Sequence, residues 1–158
     1  MTDEILPPGW LTTTIDELLV PLDNGRLVHH GWSPQCEADP AGPDEWGVLK
    51  TTAIQFGRFE PEHNKRLPAT KEPRPHLEVK PGDLVLTCAG PRSRCGGPAL
   101  VRNTRPQLLL SGKMYRFRPD ERVILGRYLE YFLMSPSAQA QIETMKTGIS
   151  DSGLNLTH

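Results

Sequence analysis

Residues 80–102 read KPGDLVLTCAGPRSRCGGPALVR. Two apolar runs, Leu84–Thr87 and Ala99–Arg102, flank a loop of Gly, Pro, Arg and Cys. Short runs of Leu, Val and Thr between turn residues read as strands, because a helix needs a longer stretch with a 3.6-residue period. Pro81-Gly82-Asp83 is the turn that feeds the first run. Further strand-like runs lie at Trp46–Thr52, Leu77–Val79, Leu108–Leu110 and Met114–Phe117. The centre of the chain therefore reads as β.

The ends read differently. Pro7-Pro8-Gly9 is a turn, and Trp10–Thr13 is β-prone. Thr14 followed by Glu17 makes a capping box for a brief helix over Ile15–Leu19, which Pro21 stops. Residues 21–46 are irregular, with a hairpin expected at Asn24-Gly25. Residues 60–75 form a second polar, Pro-rich loop. At the C-terminal end, Leu125, Tyr128, Leu129, Phe132 and Leu133 recur at helical spacing over Leu125–Met134. Ser135 caps a second helix with Pro136 at its first position; it runs to about Lys146 and ends at Gly148. The expected class is α+β: an irregular β-rich body with two C-terminal helices.

The chain has 158 residues, of which 37% are hydrophobic, and this fits one domain with one core. Three cysteines, Cys36, Cys88 and Cys95, have no zinc-site spacing and read as reduced thiols of a cytoplasmic protein. Met1–Pro8 lacks the apolar core of a secretory signal, and no run is long enough to span a membrane. The net charge of −1 conceals an asymmetry. From Arg58 to Arg118 there are 13 Lys/Arg against 5 Asp/Glu, a balance of +8; the remainder holds 5 against 14, a balance of −9. A basic middle suits a polyanion-facing surface, though a solvated mixed surface has the same composition.

Three groups of residues could carry chemistry. The loop 90–97, GPRSRCGG, matches neither a Walker A loop nor a dinucleotide fingerprint. Its glycines permit a tight tip from which Arg92, Ser93 and Arg94 project, and Arg is shaped for a guanine edge or a phosphate. An ordinary exposed hairpin would look the same. Lys50, Thr51 and Thr52 lie at a strand end, where they can donate to phosphate oxygens or simply favour the strand. Lys65, Arg66, Lys71 and Arg74 lie in a loop stiffened by proline that could track a phosphate backbone. The cysteines and the histidines make no recognisable nucleophilic dyad, and the carboxylates show no metal-ligand or hydrolase pattern.

Taken in order, seven pieces resemble one family. They are LPPGW (6–10), GVLKTTAIQFGRFEPEHNK (47–65), VKPGDLVLTCAG (79–90), GGPALV (96–101), LLLSGKMYRFRP (108–119), YLEYFLMSPSAQAQIETMKTG (128–148) and LNLT (154–157). Together they resemble the target recognition domain of a type I restriction–modification specificity (S) subunit, over residues 6–157.

The resemblance implies a sequence-specific reader of double-stranded DNA, without catalysis of its own. It implies a curved β-sheet body whose DNA-facing side is built from loops. It implies methyltransferase (M) and restriction (R) subunits as partners, and a second recognition half. S-adenosylmethionine and ATP are expected only in the partner subunits, and no cofactor or metal in this chain. Lys50, Thr51 and Thr52 match the family's LKTSAI-like motif, Lys65 its ENK lysine, and Ser111 and Lys113 its L-S-x-K piece. Cys88 departs from the pattern, standing where the family often has arginine. Residues 1–158 hold neither the long helix nor the second recognition domain that would follow, and are expected to be a single recognition domain. Two other readings remain open: a small β-barrel that binds RNA or a modified base, and a decoy or assembly subunit acting through protein contacts.

Overall fold

The computed structural model describes residues 5–156. Its strands, in chain order, are β1 (His29–His30), β2 (Gly47–Leu49), β3 (Ile54–Gln55), β4 (Arg58–Phe59), β5 (Asn64–Arg66), β6 (Leu84–Thr87), β7 (Ala89–Pro91), β8 (Pro98–Leu100), β9 (Leu108–Leu109), β10 (Met114–Phe117), β11 (Lys146–Thr147) and β12 (Asp151–Leu154). Two α-helices, α1 (Gly126–Met134) and α2 (Pro136–Met145), lie between β10 and β11. The class is α+β.

The central sheet is antiparallel, in the order β1-β10-β6-β8. The opening stretch supplies two of its strands, and period-2 alternation gives each face its own core. Val85, Ala99 and Met114 face a cluster with Val48, Leu49, Leu67, Val79 and Leu108 to Leu110. Leu84, Leu86, Tyr115 and Phe117 face the opposite cluster, which holds Leu129, Leu133 and Ile142 from the helices. The first cluster is backed by a smaller sheet, β5-β2-β9, in which β2 and β9 run parallel. A third sheet, β11-β12-β7, and the hairpin β3-β4 complete the body.

A buried ion cluster pins the central sheet. Asp83, fully buried, sits 3.4 Å from Arg116 and 2.9 Å from Arg118. Arg116 also donates to the carbonyls of Glu78 (2.6 Å) and His76 (2.8 Å), and lies 2.6 Å from Nδ1 of His29. That contact requires Nδ1 to accept, so the ring is neutral with its proton on Nε2, which donates to Asn24 Oδ1 at 3.0 Å. Burial, then the Arg116 charge, holds the His29 imidazole below its ordinary range.

Several sequence expectations are corrected. Trp10–Thr13 forms no strand, and Trp10 is exposed. The capping box of Thr14 and Glu17 forms, but the turn that it starts is a single 3₁₀ turn, Ile15–Leu18. Asn24-Gly25 is a tight turn closed by Leu22 N–H to Arg26 C=O at 2.8 Å, with no regular strands flanking it. The run at Trp46–Thr52 is strand only over Gly47–Leu49; a 3₁₀ turn, Thr51–Ala53, follows. Leu77–Val79 is the end of a 3₁₀ turn and an isolated bridge, Glu78 to Leu109. In α1, Leu129 and Leu133 are buried, whereas Leu125, Tyr128 and Phe132 face outward. Ser135 caps α2 as expected, its hydroxyl accepting from the Ala138 N–H at 3.2 Å. The helix stops at Met145, because Lys146–Thr147 pairs with β12 and Gly148, at φ +91°, makes the turn between them.

Candidate nucleic-acid interface

Most of the mid-chain cations are neutralised by the fold. Arg58 pairs with Glu60 (2.7 Å), Arg102 with Glu130 (2.9 Å), and Lys80 with Glu78. Arg66 faces Glu37 at 2.5 Å, Glu45 at 3.6 Å and Asp39 at 3.8 Å. Glu60 and Glu78 belong to the basic middle itself, whereas Glu37, Asp39, Glu45 and Glu130 come to it from the acidic flanks. Among the described residues, Lys50, Lys65, Lys71, Lys113, Arg26, Arg74, Arg94 and Arg127 are left without an ion pair or a side-chain hydrogen bond.

Three of these, Lys50, Lys65 and Lys113, line one groove. It has a volume of about 430 Å³ and is lined by Ser33, Pro34, Gln35, Cys36, Val48, Leu49, Lys50, Thr51, Lys65, Ser111 and Lys113. No carboxylate of the described residues is in that lining. Lys50 follows β2, and its N–H is held by the His63 carbonyl at 2.9 Å. Lys65 sits on β5 in register with Val48, so the small sheet supplies one part of the lining and Ser33–Cys36 with Ser111 and Lys113 another. Lys113 follows a turn in which its N–H donates to Ser111 Oγ at 3.1 Å. The lysine charges at 65 and 71 act on the Cys36 thiol, which burial pushes up.

Two glycines fit the chain crossing at the rim of this groove. A side chain at Gly31 would place Cβ 2.1 Å from the Ser111 carbonyl oxygen, and one at Gly112 would lie 2.4 Å from Ser33 Oγ. Residues 31–33 and 111–112 can therefore lie against each other, joined by the bridge of Trp32 to Ser111. Arg74 stacks over the Trp32 ring, 4.2 Å from its centroid.

The sequence-derived residues divide accordingly. The structure brings Lys50, Thr51, Lys65 and Lys113 together in the groove; Lys71 acts on Cys36 of its lining, and Arg74 lies over Trp32, the chain neighbour of Ser33. Thr52 turns inward, its hydroxyl buried and unpartnered. Arg66 is committed to its three carboxylates.

The loop 90–97 is corrected most. It is not a free tip but packs on α2. Arg92 donates to Glu143, to the Gly148 carbonyl (2.6 Å) and to Ser152 Oγ (3.3 Å). Gln139 donates to the Gly96 carbonyl at 3.1 Å, and Cys95, Gly96 and Gly97 are buried. Ser93 is exposed and Arg94 half-buried, and neither lines the groove. Sequence reasoning passed over Trp32 and the Ser33–Cys36 segment, which lie in the irregular stretch 21–46. The only signal there was its length without periodicity.

Burial pushes the Cys88 thiol up to about 12 and raises that of Cys95. A carboxylate–histidine cluster, Glu60, Glu62 and His63, lies between β4 and β5, but Arg58 already pairs with Glu60.

No family model matches the chain. It is 38% identical over 153 residues to the type I restriction enzyme EcoEI specificity subunit of Escherichia coli, a match covering 96% of this chain and 25% of that protein. The chain thus spans about a quarter of the length of that curated relative. Two solved structures share its fold. The S subunit of a type I restriction–modification system from M. genitalium matches with a TM-score of 0.52 at 15% identity, over 92% of this chain and 31% of that one. A chain from a structure of the complex assembly and conformational transition of the type I R-M system also matches with a TM-score of 0.52, at 17% identity, over 86% of this chain and 30% of that one.

Proposed function

This chain belongs to the specificity-subunit family of type I restriction–modification systems, and on that premise we propose that it reads one half of a split target in duplex DNA. The observation that supports this reading most is the acid-free groove that gathers Lys50, Lys65 and Lys113, with Lys71 acting on Cys36 of its lining and Arg74 over the neighbouring Trp32. Cations left unpaired by the fold are free to replace counterions on a phosphate backbone, and each phosphate so neutralised steepens the salt dependence of binding. Thr51 and Ser111 add hydroxyl donors among them.

Under this reading the chain is a recognition domain that directs a methyltransferase and a restriction subunit to a site and does no chemistry itself. S-adenosylmethionine and ATP belong to those partners. A second recognition half supplies the other part of the target, and avidity from two halves sets the working affinity. The place of action is the cytoplasm. No described helix is long and apolar enough to cross a membrane.

The test is competition. A labelled random-sequence duplex is bound to the full chain at low salt and challenged with unlabelled duplex or single-stranded RNA of equal length. Duplex should displace the label at far lower concentration than RNA, and Lys50→Glu with Lys65→Glu should abolish binding. Preferential displacement by RNA, or binding indifferent to the two substitutions, would overturn the reading.

A further inference from the structure

We infer that Arg74, held on the face of Trp32, is a direct base reader of this domain and that it reads guanine. The inference rests on the DNA-reading function proposed above and assigns one residue and one base within it. The Arg74 guanidinium lies 4.2 Å from the centre of the Trp32 ring. Its side chain is exposed and makes no ion pair or hydrogen bond with the described residues, so its five N–H groups remain available.

The platform beneath it is rigid. The Trp32 N–H donates to the Leu110 carbonyl at 3.1 Å, and Trp32 pairs with Ser111, which lines the groove. The ring packs against the core cluster that contains Leu108, Leu109 and Leu110. The neighbouring Gly31 lies so close to Ser111 that a side chain there would collide with backbone. The stack therefore holds the guanidinium over the ring of Trp32, whose chain neighbour Ser33 and bridge partner Ser111 both line the basic groove.

A held fork is best used where two acceptors lie in one plane, as they do on a base edge. A phosphate is satisfied by a flexible point charge, and the other free cations at the groove, Lys50, Lys65, Lys71 and Lys113, are all lysines. Arg74 is the arginine among them. A planar guanidinium fork donates two parallel hydrogen bonds to guanine O6 and N7, an acceptor pair that other bases do not offer; lysine reaches the same atoms without the preorganised fork. Stacking also lowers the conformational cost of ordering a long side chain on binding. By contrast, Arg92 has spent its donors on Glu143, Gly148 and Ser152.

The experiment is selection of bound sequences from a randomised duplex pool by the full chain, by Arg74→Lys, by Arg74→Ala and by Trp32→Leu, with circular dichroism confirming that each is folded. The unsubstituted chain should return a short motif containing guanine at one fixed position. Both Arg74 variants should lose the preference at that position by roughly 5- to 150-fold while retaining the rest of the motif. Trp32→Leu should weaken the same position. If the unsubstituted chain returns no motif, the DNA-reading function fails and this inference with it. If it returns a motif that Arg74→Lys leaves unchanged, or if Arg74→Ala weakens every sequence alike, Arg74 is a phosphate contact and this inference alone is overturned.

Discussion

Arg92 and Glu143 are joined by an ion pair across 51 positions of sequence, Nε to Oε1 at 2.8 Å. The contact closes the glycine-rich loop onto the last turns of α2, and the same guanidinium reaches the carbonyl of Gly148 in the β11–β12 turn. The loop is therefore a clasp between the central sheet and the C-terminal elements.

Arg92→Ala should accordingly change stability and not base preference. Removing the hydrogen bond to Gly148 costs on the order of 1–2 kcal/mol, which for a chain of this size lowers Tm by roughly 2–6 °C. Thermal melting monitored by circular dichroism reads the first part, and selection from a random pool reads the second. A shifted motif with an unchanged Tm would return Arg92 to the DNA.

Asp83→Asn should be among the most damaging single changes. It removes the charge that offsets Arg116, which is 3% exposed, and weakens the contact to Arg118. Breaking a buried ion pair from one side costs about 3–5 kcal/mol. Chemical denaturation should show a large fall in the midpoint. A change below about 1 kcal/mol, the scale of an exposed pair, would mean that solvent reaches the cluster.

How much of this was legible in the sequence can be seen at particular residues. Leu84–Thr87 and Met114–Phe117 were readable because apolar residues crowd both faces of a central strand. The second helix was readable because Ser135 and Pro136 are start signals that act locally. β1 was not, because His29 is buried by a polar contact to Arg116 that is 87 positions away and carries no periodic signal. β7 and β12 were hidden by Gly, Pro and Ser, which pair there only because of tertiary register. The glycine-rich loop was misread since Gly and Arg suggest an exposed tip. In fact Gly96 is bare to admit Ile142, whose Cγ2 lies 2.5 Å from where a Cβ would stand. Lys50 and Lys65 were identifiable one by one. Their convergence with Ser33 and Lys113 depends on a chain crossing that no local pattern encodes.

That crossing gives a contrast between two glycines. Gly31→Ala should destabilise by about 3 kcal/mol or more, because its Cβ meets the Ser111 carbonyl oxygen at 2.1 Å and backbone has to move. Gly112→Ala should cost less, because Ser33 Oγ, met at 2.4 Å, can rotate away. Equal falls in denaturation midpoint would refute the account of the rim.

His29 sets a pH dependence. Its folded-state pKa is lowered, so the unfolded chain binds the proton more readily and stability rises with pH in this range. The contribution is complete above the unfolded value of about 6.5 and is lost as pH falls below it. The charges acting on the ring are Arg116, His76, Asp23 and Arg118. His29→Asn keeps an acceptor for Arg116 but does not titrate, so the slope of stability as pH falls below about 6.5 should be shallower than in the parent. Identical slopes would remove His29 from the balance.

The most direct test of the central claim is the salt dependence of duplex affinity, measured for the unsubstituted chain and for the combined Lys50→Ala, Lys65→Ala, Lys113→Ala variant, with Arg127→Ala as control. The variant should bind all sequences more weakly, and its slope of log affinity against log salt should be shallower by about 0.9 for each phosphate that is no longer neutralised, while Arg127→Ala leaves the slope as it was. An unchanged slope in the triple variant, or an equal flattening by Arg127→Ala, would show that DNA does not lie in this groove.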